Sequence, residues 1–248
     1  MADQDQPVRL RPTPTREESS PLQSAVLQVM SGASNYISWL ADLAEPHLGE
    51  SPLEIGAGTG DYAEVWARPG RVLTVSEADP GRLAGLRARY PDRTDVVVRE
   101  LEVPITETAE HSAVVAYNVL EHIEDDVAAL RSFAGLVRPG GKVVLIVPAF
   151  EIAMSDFDRE IGHYRRYRTK GLTRALVAAG LRPVTVRYVN PVGLVGWIVL
   201  MRLLGKRTDD TPVSFFDRFL VPPLRALETK VRPPFGQSVL AVAEVPAG

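Results

Sequence analysis

The sequence contains no cysteine, so disulfide bonds, a thiolate nucleophile and cysteine-ligated metal sites are all excluded. It also lacks an excess of basic residues, because the formal net charge is −3 and the isoelectric point is about 5.9. Proteins that bind DNA or RNA usually present a basic surface. We therefore expect the partner of this chain to be a small or lipidic molecule and not a nucleic acid.

The N-terminal segment 1–20 lacks the apolar stretch of a secretory signal and is rich in proline, glutamine and charged residues. It is predicted to be a disordered tail, and the protein is expected to be cytoplasmic. The nonpolar run 191–201 is too short to cross a bilayer, which takes about 20 residues. This run is interpreted as a core helix, a dimer helix or a membrane-surface anchor.

The order of predicted elements is typical of an α/β protein. The 248 residues and the 45% hydrophobic content suit one sizeable domain, 21–248. From Leu53 onward, strands alternate with helices, which predicts a doubly wound, Rossmann-like sheet of seven mainly parallel strands with helices on both faces. Helices between Pro21 and Leu48 are expected to precede the sheet. The segment 150–170 is predicted to be an active-site lid, and the long connection 190–238 a helical insertion or cap before the last strand.

A glycine-rich turn follows the first predicted strand. Gly56, Gly58 and Gly60 occupy alternate positions there, and glycine permits positive φ and a close approach of the backbone to a ligand. The helix after the turn presents free N–H groups at its N-terminus. The turn therefore predicts a cofactor site, for either a nicotinamide dinucleotide or S-adenosylmethionine.

Asp61 favours S-adenosylmethionine, because it stands where the dinucleotide fingerprint requires a small residue. Its carboxylate would repel a pyrophosphate at the helix N-terminus. S-adenosylmethionine has no phosphate and carries a free ammonium group, which suits an acidic neighbour. Further polar residues, Glu77, Glu100 and Asn118, follow the next three predicted strands. The carboxyl ends of the strands are where a doubly wound sheet binds ligands.

Three motifs together resemble the class I S-adenosylmethionine-dependent methyltransferases. They are Glu54-Ile-Gly-Ala-Gly-Thr-Gly60, Asn118-Val-Leu-Glu-His-Ile123 and Leu136-Val-Arg-Pro-Gly-Gly141, and the resemblance extends over about 48–180. The segment 158–167 is similar to a bacterial subgroup whose members often accompany glycosyltransferases in cell-envelope sugar or lipid pathways. The resemblance implies S-adenosylmethionine as the cofactor and methyl transfer as the activity.

The resemblance also implies roles for individual residues. Glu54 and the glycines of the turn would hold the methionine part of the cofactor. Glu77, or alternatively Asp79, would accept both ribose hydroxyls, since a carboxylate offers two acceptor oxygens. Glu100 and the Leu101 backbone would meet the adenine, unless Glu100 is only a solvated carboxylate. The full expected cofactor set is Tyr36, Glu54, Gly56, Ala57, Gly58, Gly60, Asp61, Glu77, Ala78, Glu100, Leu101, Asn118, Val119 and Leu120, with a core position as the alternative for Tyr36.

Two histidines are the candidate catalytic residues. His122 follows the fourth predicted strand, and His163 lies in the predicted lid. An oxygen acceptor can require a general base within hydrogen-bond reach, and His163 is the favoured residue as base or as acceptor-positioning group. Each histidine has a structural alternative: His122 could bond only to nearby backbone, and His163 could be a lid residue paired with Asp158.

The expected acceptor-binding set comes from the lid and comprises Asp158, Tyr164, Arg166 and Tyr167. The arginines at positions 165, 166 and 168 indicate either an anionic acceptor or a solvated basic face. No cluster of histidine and aspartate has metal-ligand spacing in the sequence, so no metal is expected.

The sequence thus predicts an S-adenosylmethionine-dependent methyltransferase that acts on a small-molecule acceptor, with oxygen of a sugar, lipid or secondary metabolite favoured. A dinucleotide-dependent oxidoreductase and a non-catalytic cofactor-binding scaffold are the alternatives. The insertion 190–238 is expected to contact a membrane surface or a second copy of the chain.

Overall fold

The computed structural model describes residues 21–199 and 210–247. The predicted tail 1–20 and the end of the nonpolar run at Met201 lie outside the described residues. Within the described part of the chain, no helix is both long and apolar enough to cross a membrane.

Seven strands form a single sheet in the order β3-β2-β1-β4-β5-β7-β6. Strands β1 to β5 run parallel to one another, and β7 lies antiparallel between β5 and β6. This topology confirms the predicted doubly wound, mainly parallel sheet. The strands are β1 Leu53–Ile55, β2 Leu73–Glu77, β3 Val96–Glu100, β4 His111–Tyr117, β5 Val137–Pro148, β6 Arg182–Val189 and β7 Ser238–Glu244.

Helices cover both faces of the sheet and fill the two predicted extensions. Among the described residues, two α-helices precede β1, and they are separated at Gly32. Helices α8 to α10 and a π-helical segment, Phe216–Leu220, lie between β6 and β7. The α-helices of the described residues are α1 Pro21–Ser31, α2 Ser34–Ala44, α3 Asp61–Trp66, α4 Pro80–Arg89, α5 Asp126–Gly135, α6 Asp156–Glu160, α7 Thr169–Ala178, α8 Pro191–Trp197, α9 Asp210–Phe215 and α10 Val221–Glu228.

The core has one layer on each face of the sheet. On one face, Leu130 and Phe133 of α5 and Leu172 of α7 are fully buried against the central strands. On the other face, Leu40 of α2 and Trp66 of α3 are buried in the same way. The continuous apolar run in β5 is therefore explained, because a central parallel strand is covered on both sides. These layers hold the carboxyl ends of β1, β2 and β4 together at one edge.

The helical insertion is fastened to the domain at Asn190, which begins it. The Asn190 backbone has a φ of 60°, and its side-chain oxygen accepts a bond from the Gly193 amide at 2.9 Å. Its own amide N–H donates to Glu228 at 2.8 Å, and its side-chain amide donates to Gln237 at 2.7 Å. The start and the end of the insertion are therefore tied to each other beside β7.

Asp217 of the insertion caps a helix that lies far away in sequence. Its side-chain oxygens accept bonds from the backbone N–H groups of Asn35 at 3.2 Å and Tyr36 at 2.7 Å. These are orphan donors of the first turn of α2, and Ala33 at the N-cap position supplies no side-chain bond. Outside this contact, Phe215 and Phe219 are exposed, and a membrane or dimer contact of the insertion stays a prediction.

We expect Asp217→Ala to lower the free energy of unfolding by about 1–3 kcal/mol, because a helix cap is lost and buried amide donors lose their acceptor. The matched control Arg218→Ala changes the exposed neighbour and should stay within about 0.5 kcal/mol of wild type. Urea denaturation followed by circular dichroism measures both. Equal losses in the two variants would contradict the cap.

Candidate active site

The carboxyl ends of β1, β2 and β4 open into a cavity of about 490 Å³. Most of the predicted site residues line it, although they are far apart in the sequence. From the expected cofactor set the lining includes Tyr36, Glu54, Gly56, Ala57, Gly58, Asp61, Glu77, Ala78, Leu101, Asn118 and Val119. The expected catalytic and acceptor residues that line it are His122, Asp158, His163 and Arg166.

The glycine turn adopts the strained backbone that its sequence predicts. Gly56 and Gly58 have φ values of 67° and 58°, which side chains rarely tolerate. A Cβ atom on Gly56 would lie 2.6 Å from Cγ2 of Val119. The turn therefore packs directly against the segment that follows β4, and a side chain at position 56 would push the two apart.

Glu77 ends β2 and holds the glycine turn in place. One carboxylate oxygen accepts the Gly58 N–H at 3.0 Å, and the other accepts the N–H groups of Ala78 and Asp79 at 2.9 and 3.0 Å. Asp79, the alternative candidate, caps α4 by accepting the Arg82 N–H at 2.8 Å. Of the two carboxylates, Glu77 is the one that lines the cavity.

Glu54 and Asp61 are two acidic residues of the turn with opposite environments. Glu54 is buried, and its Oε2 atom has no hydrogen-bond partner among the described residues. Burial, together with the nearby charges of Asp61 and Glu77, raises the pKa of Glu54 well above its usual value. For Asp61, burial alone would raise the pKa, but hydrogen bonds from Ser31, Thr59 and Arg89 outweigh it and hold the pKa below its usual value.

The two candidate histidines lie side by side at the opposite wall. Their ring centroids are 4.6 Å apart in an edge-to-face arrangement. The pKa of His122 is lowered to about 4, mainly by burial and to a smaller extent by the charge of the neighbouring His163. Glu121 is fully buried beside them, and its Oε1 lies 3.9 Å from Nε2 of His163. Burial raises the pKa of Glu121 to about 8.

Asp158 orients His163. Its Oδ1 accepts a bond from Nδ1–H of His163 at 3.0 Å and from the Arg166 guanidinium at 2.7 Å. Ser155 donates to its other oxygen at 2.7 Å. Burial would raise the pKa of Asp158, but the bonds from His163 and Arg166 hold it at about 2. The expected pairing of His163 with Asp158 is therefore present, and it does not remove His163 from the cavity wall.

The three lid arginines each contact another side chain of the described residues. Arg165 pairs with Asp126 at 3.0 Å, and the guanidinium of Arg168 lies over the Phe150 ring at 5.4 Å. Arg166 is buried between Asp158 and the Trp197 ring. None of the three is a ready-made receptor for an anionic acceptor.

Two expected acceptor residues lie outside the cavity. The Tyr167 backbone pairs with the end of β5 through a bridge to Ala149, and its hydroxyl donates to Asp126 at 3.0 Å. Its ring is therefore directed into the core layer around α5 and α7. The side chain of Tyr164 is 55% exposed.

Three expected cofactor residues also lie outside the lining. The Gly60 carbonyl accepts the Tyr90 hydroxyl at 2.8 Å and so faces α4. Leu120 is fully buried in the core below the turn that follows β4. Glu100 is exposed at the end of β3, whereas Leu101 and Glu102 after it line the cavity. A position at the end of a strand therefore predicts which residues lie near the cavity, but it does not predict which way each side chain points.

Comparison with known proteins gives a consistent result. Residues 53–143 match the family of methyltransferase domains. The ubiquinone biosynthesis O-methyltransferase of Xanthomonas oryzae pv. oryzae is 33% identical over 117 residues, which cover 45% of this chain and 46% of that protein. The Escherichia coli O157:H7 protein of the same name is 32% identical over 111 residues, 43% of this chain and 46% of that protein. The chain spans about half the length of the curated relatives it matches.

The segment 53–143 therefore belongs to the family of methyltransferase domains, and the matched relatives support the class I S-adenosylmethionine-dependent type. Solved structures agree on the fold. A geranyl diphosphate methyltransferase in complex with S-adenosylmethionine aligns with a TM-score of 0.60 at 16% identity, covering 84% of each chain. Phosphoethanolamine N-methyltransferase 2 of Haemonchus contortus aligns with a TM-score of 0.59 at 16% identity, covering 88% of this chain and 57% of that one.

Several cavity residues of this class I methyltransferase fold were not predicted. The α1 helix contributes an apolar stripe of Val26, Leu27 and Met30, and helical spacing indicated the helix but not what its apolar side covers. Trp197 of the insertion donates its ring N–H to the Ala153 carbonyl at 3.1 Å and packs edge-on against Phe157 at 5.6 Å. Trp197 therefore lies in a hydrophobic contact at the cavity, and this location depends on tertiary structure.

Glu54→Gln should change how the stability of the domain depends on pH. The raised pKa of Glu54 means that its carboxyl contribution is present below the ordinary value of 4.5 and is lost as pH rises through the folded value. We therefore expect no gain of the variant over wild type near pH 4 and a gain that grows as the pH rises above the ordinary value of 4.5. Urea titrations across this range measure the difference. A gain that is the same at every pH would contradict the prediction.

Proposed function

We propose that this chain binds S-adenosylmethionine and transfers its methyl group to an oxygen atom of a small-molecule acceptor. The observation that carries the proposal is the pair of buried carboxylates in the cavity, Glu54 with an unpartnered oxygen and Glu77 at the end of β2. A buried acidic group without a partner suits a cationic ligand. The family membership and the matched relatives support the same cofactor.

The cavity residues fit the separate parts of this cofactor. Glu54 would receive the ammonium of the methionine part, because Asp61 already has hydrogen-bond donors around it while Glu54 does not. Glu77 would accept the ribose hydroxyls through Oε2, because this oxygen accepts only the Gly58 N–H among the described residues, whereas Oε1 already accepts from Ala78, Asp79 and the Arg82 guanidinium. Leu101 and Val103 offer apolar surface for the adenine.

When bound, the cofactor supplies a methyl group on a sulfonium, which is an activated leaving group. The chain mainly contributes alignment, which can be worth about 7–11 kcal/mol in effective concentration. The acceptor oxygen would form its bond to the methyl carbon with its own electron pair, and the electrons of the carbon–sulfur bond would pass to sulfur. The proton of an acceptor hydroxyl must leave in the same reaction. His122 and His163, with Glu121, are the polar groups that we assign to the acceptor oxygen.

The walls of the cavity favour an acceptor with an apolar skeleton. Val26 and Met30 of α1 face the cavity together with Phe157 and Ile161 of the lid, whereas the lid arginines are engaged elsewhere. A hydroxylated lipid or aromatic metabolite therefore fits better than a strongly anionic one. The names of the relatives as O-methyltransferases support oxygen as the acceptor atom.

A dinucleotide cofactor would place a pyrophosphate against the acidic groups of the same turn. Glu54 is buried there and Asp61 begins α3, so the electrostatic repulsion would come from two side chains. This geometry disfavours the oxidoreductase alternative.

Glu77→Ala is expected to weaken the binding of S-adenosylhomocysteine at least tenfold, because the ribose acceptor and the brace of the glycine turn are both removed. Isothermal titration calorimetry measures the affinity. The affinity of Glu77→Gln should lie between those of wild type and Glu77→Ala, because glutamine keeps one carbonyl acceptor. Glu107 is exposed, and the control variant Glu107→Ala should bind like wild type. Unchanged affinity in both Glu77 variants would overturn the assignment.

His163→Gln is expected to lower the rate of methyl transfer at least 100-fold while the affinity for S-adenosylhomocysteine stays within about twofold. Transfer of a labelled methyl group to a panel of hydroxylated aromatic and lipid acceptors measures the rate. His111→Gln is the matched control, because His111 bonds to the Ser51 carbonyl away from the cavity. Equal rates in the two variants would remove His163 from the acceptor site.

A further inference from the structure

Glu121, His122 and His163 form a compact cluster of metal-ligating groups at the cavity wall. One ligand atom from each lies within 4.8 Å of the others, and all three residues line the cavity. The sequence did not indicate this cluster, because two members follow β4 and the third comes from the lid about 40 residues later. Tertiary structure alone brings them together.

Glu121 has no partner that explains its burial. Its side chain is fully buried, and neither carboxylate oxygen has a hydrogen bond among the described residues. Buried carboxylates are normally hydrogen-bonded, paired with a cation or bound to a metal. Protonation alone would not resolve this, since a neutral carboxyl group would still carry an O–H donor without an acceptor.

The surroundings of His163 match the support that metal-bound histidines usually have. Its Nδ1–H donates to Asp158 at 3.0 Å, which fixes the tautomer and leaves a lone pair on Nε2, the atom that lies 3.9 Å from Oε1 of Glu121. Asp158 is held in turn by Arg166 and Ser155. Such carboxylate–histidine pairs orient the ring for a metal.

We propose that Glu121, His122 and His163 bind one divalent transition-metal ion such as Zn²⁺. Two imidazole nitrogens and one carboxylate favour such ions over Mg²⁺, which prefers oxygen ligands. With metal–ligand bonds of about 2.1 Å, tetrahedral ligand atoms lie about 3.4 Å apart. The observed separation of 3.9 Å between Glu121 and His163 therefore needs only a small closure around the ion.

Three protein ligands leave a coordination position that faces the cavity, as in catalytic zinc sites. The role of the ion rests on the proposed function, whereas its binding does not. The acceptor hydroxyl would take the open position and release its proton to water, because a bound cation lowers the pKa of the oxygen. The same oxygen would then attack the methyl carbon as the carbon–sulfur bond breaks.

Metal titration of tag-free, chelator-treated protein tests the site. Zn²⁺ is followed by calorimetry, and Co²⁺ by its visible absorption, which reports the ligand set. We expect one ion per chain, with the affinity lowered at least tenfold in Glu121→Gln and in His163→Gln. Asp158→Asn should lower it by a smaller factor, because it disturbs only the orientation of His163.

The other two histidines of the chain provide the control. The double variant His47→Gln/His111→Gln should bind the metal like wild type, and circular dichroism verifies that every variant is folded. If Glu121→Gln does not fold, His122→Gln replaces it. Absence of stoichiometric binding, or equal affinity in the cluster variants and the double variant, would overturn the metal site.

Titration of the metal-depleted protein with S-adenosylhomocysteine separates this inference from the proposed function. Cofactor binding without metal binding would overturn the metal site alone. Metal binding without cofactor binding would overturn the proposed function and leave the metal site standing. Loss of methyl transfer on chelation, restored by Zn²⁺ or Co²⁺, is the result expected if both hold.

Discussion

The buried carboxylate of Glu77 connects the two strand ends around which the cavity is built. It accepts the Gly58 N–H from the turn after β1 and the Ala78 and Asp79 N–H groups at the end of β2. Backbone donors left unpaired in the interior are costly. A single charged side chain satisfies three of them here, so the glycine turn, the end of β2 and the start of α4 are held in one arrangement. The positions of Glu54 and of the glycine turn that lines the cavity therefore depend on the Glu77 carboxylate.

At the opposite wall of the cavity, the polar side chains are held in place by the lid segment 150–170 and not by the glycine turn. Asp158, Arg166 and Ser155 form a buried network that presents His163 to the cavity. The segment that carries them pairs with the end of β5, and Trp197 of the insertion packs against it. The lid and the insertion are therefore parts of one wall. A change in the insertion can reach His163 through Arg166 and Trp197 without touching the cofactor side.

The sheet and the cofactor side were largely readable from local patterns. The apolar run of β5, the glycine turn at Gly56 and the acidic residue Glu77 each reflect a constraint that acts within a few residues: burial on both faces, positive φ, and a carboxylate at a strand end. Leu120 and Gly60 were misplaced for a reason that is equally local. Adjacent side chains on a turn point in different directions, and a motif does not specify which of them faces a ligand.

The sequence by itself determined that this chain forms a doubly wound sheet with a glycine turn after its first strand, and it predicted a ligand without phosphate at that turn, because the alternation of strands and helices and the residue after Gly60 are short-range signals. Only the tertiary structure decided which acidic residue lacks a partner, since Glu54 and Asp61 differ in neighbours and not in chemistry. It also decided that Glu121, His122 and His163 meet. Their proximity depends on how the lid folds back over β4, and contacts between distant segments leave no periodic pattern in the sequence.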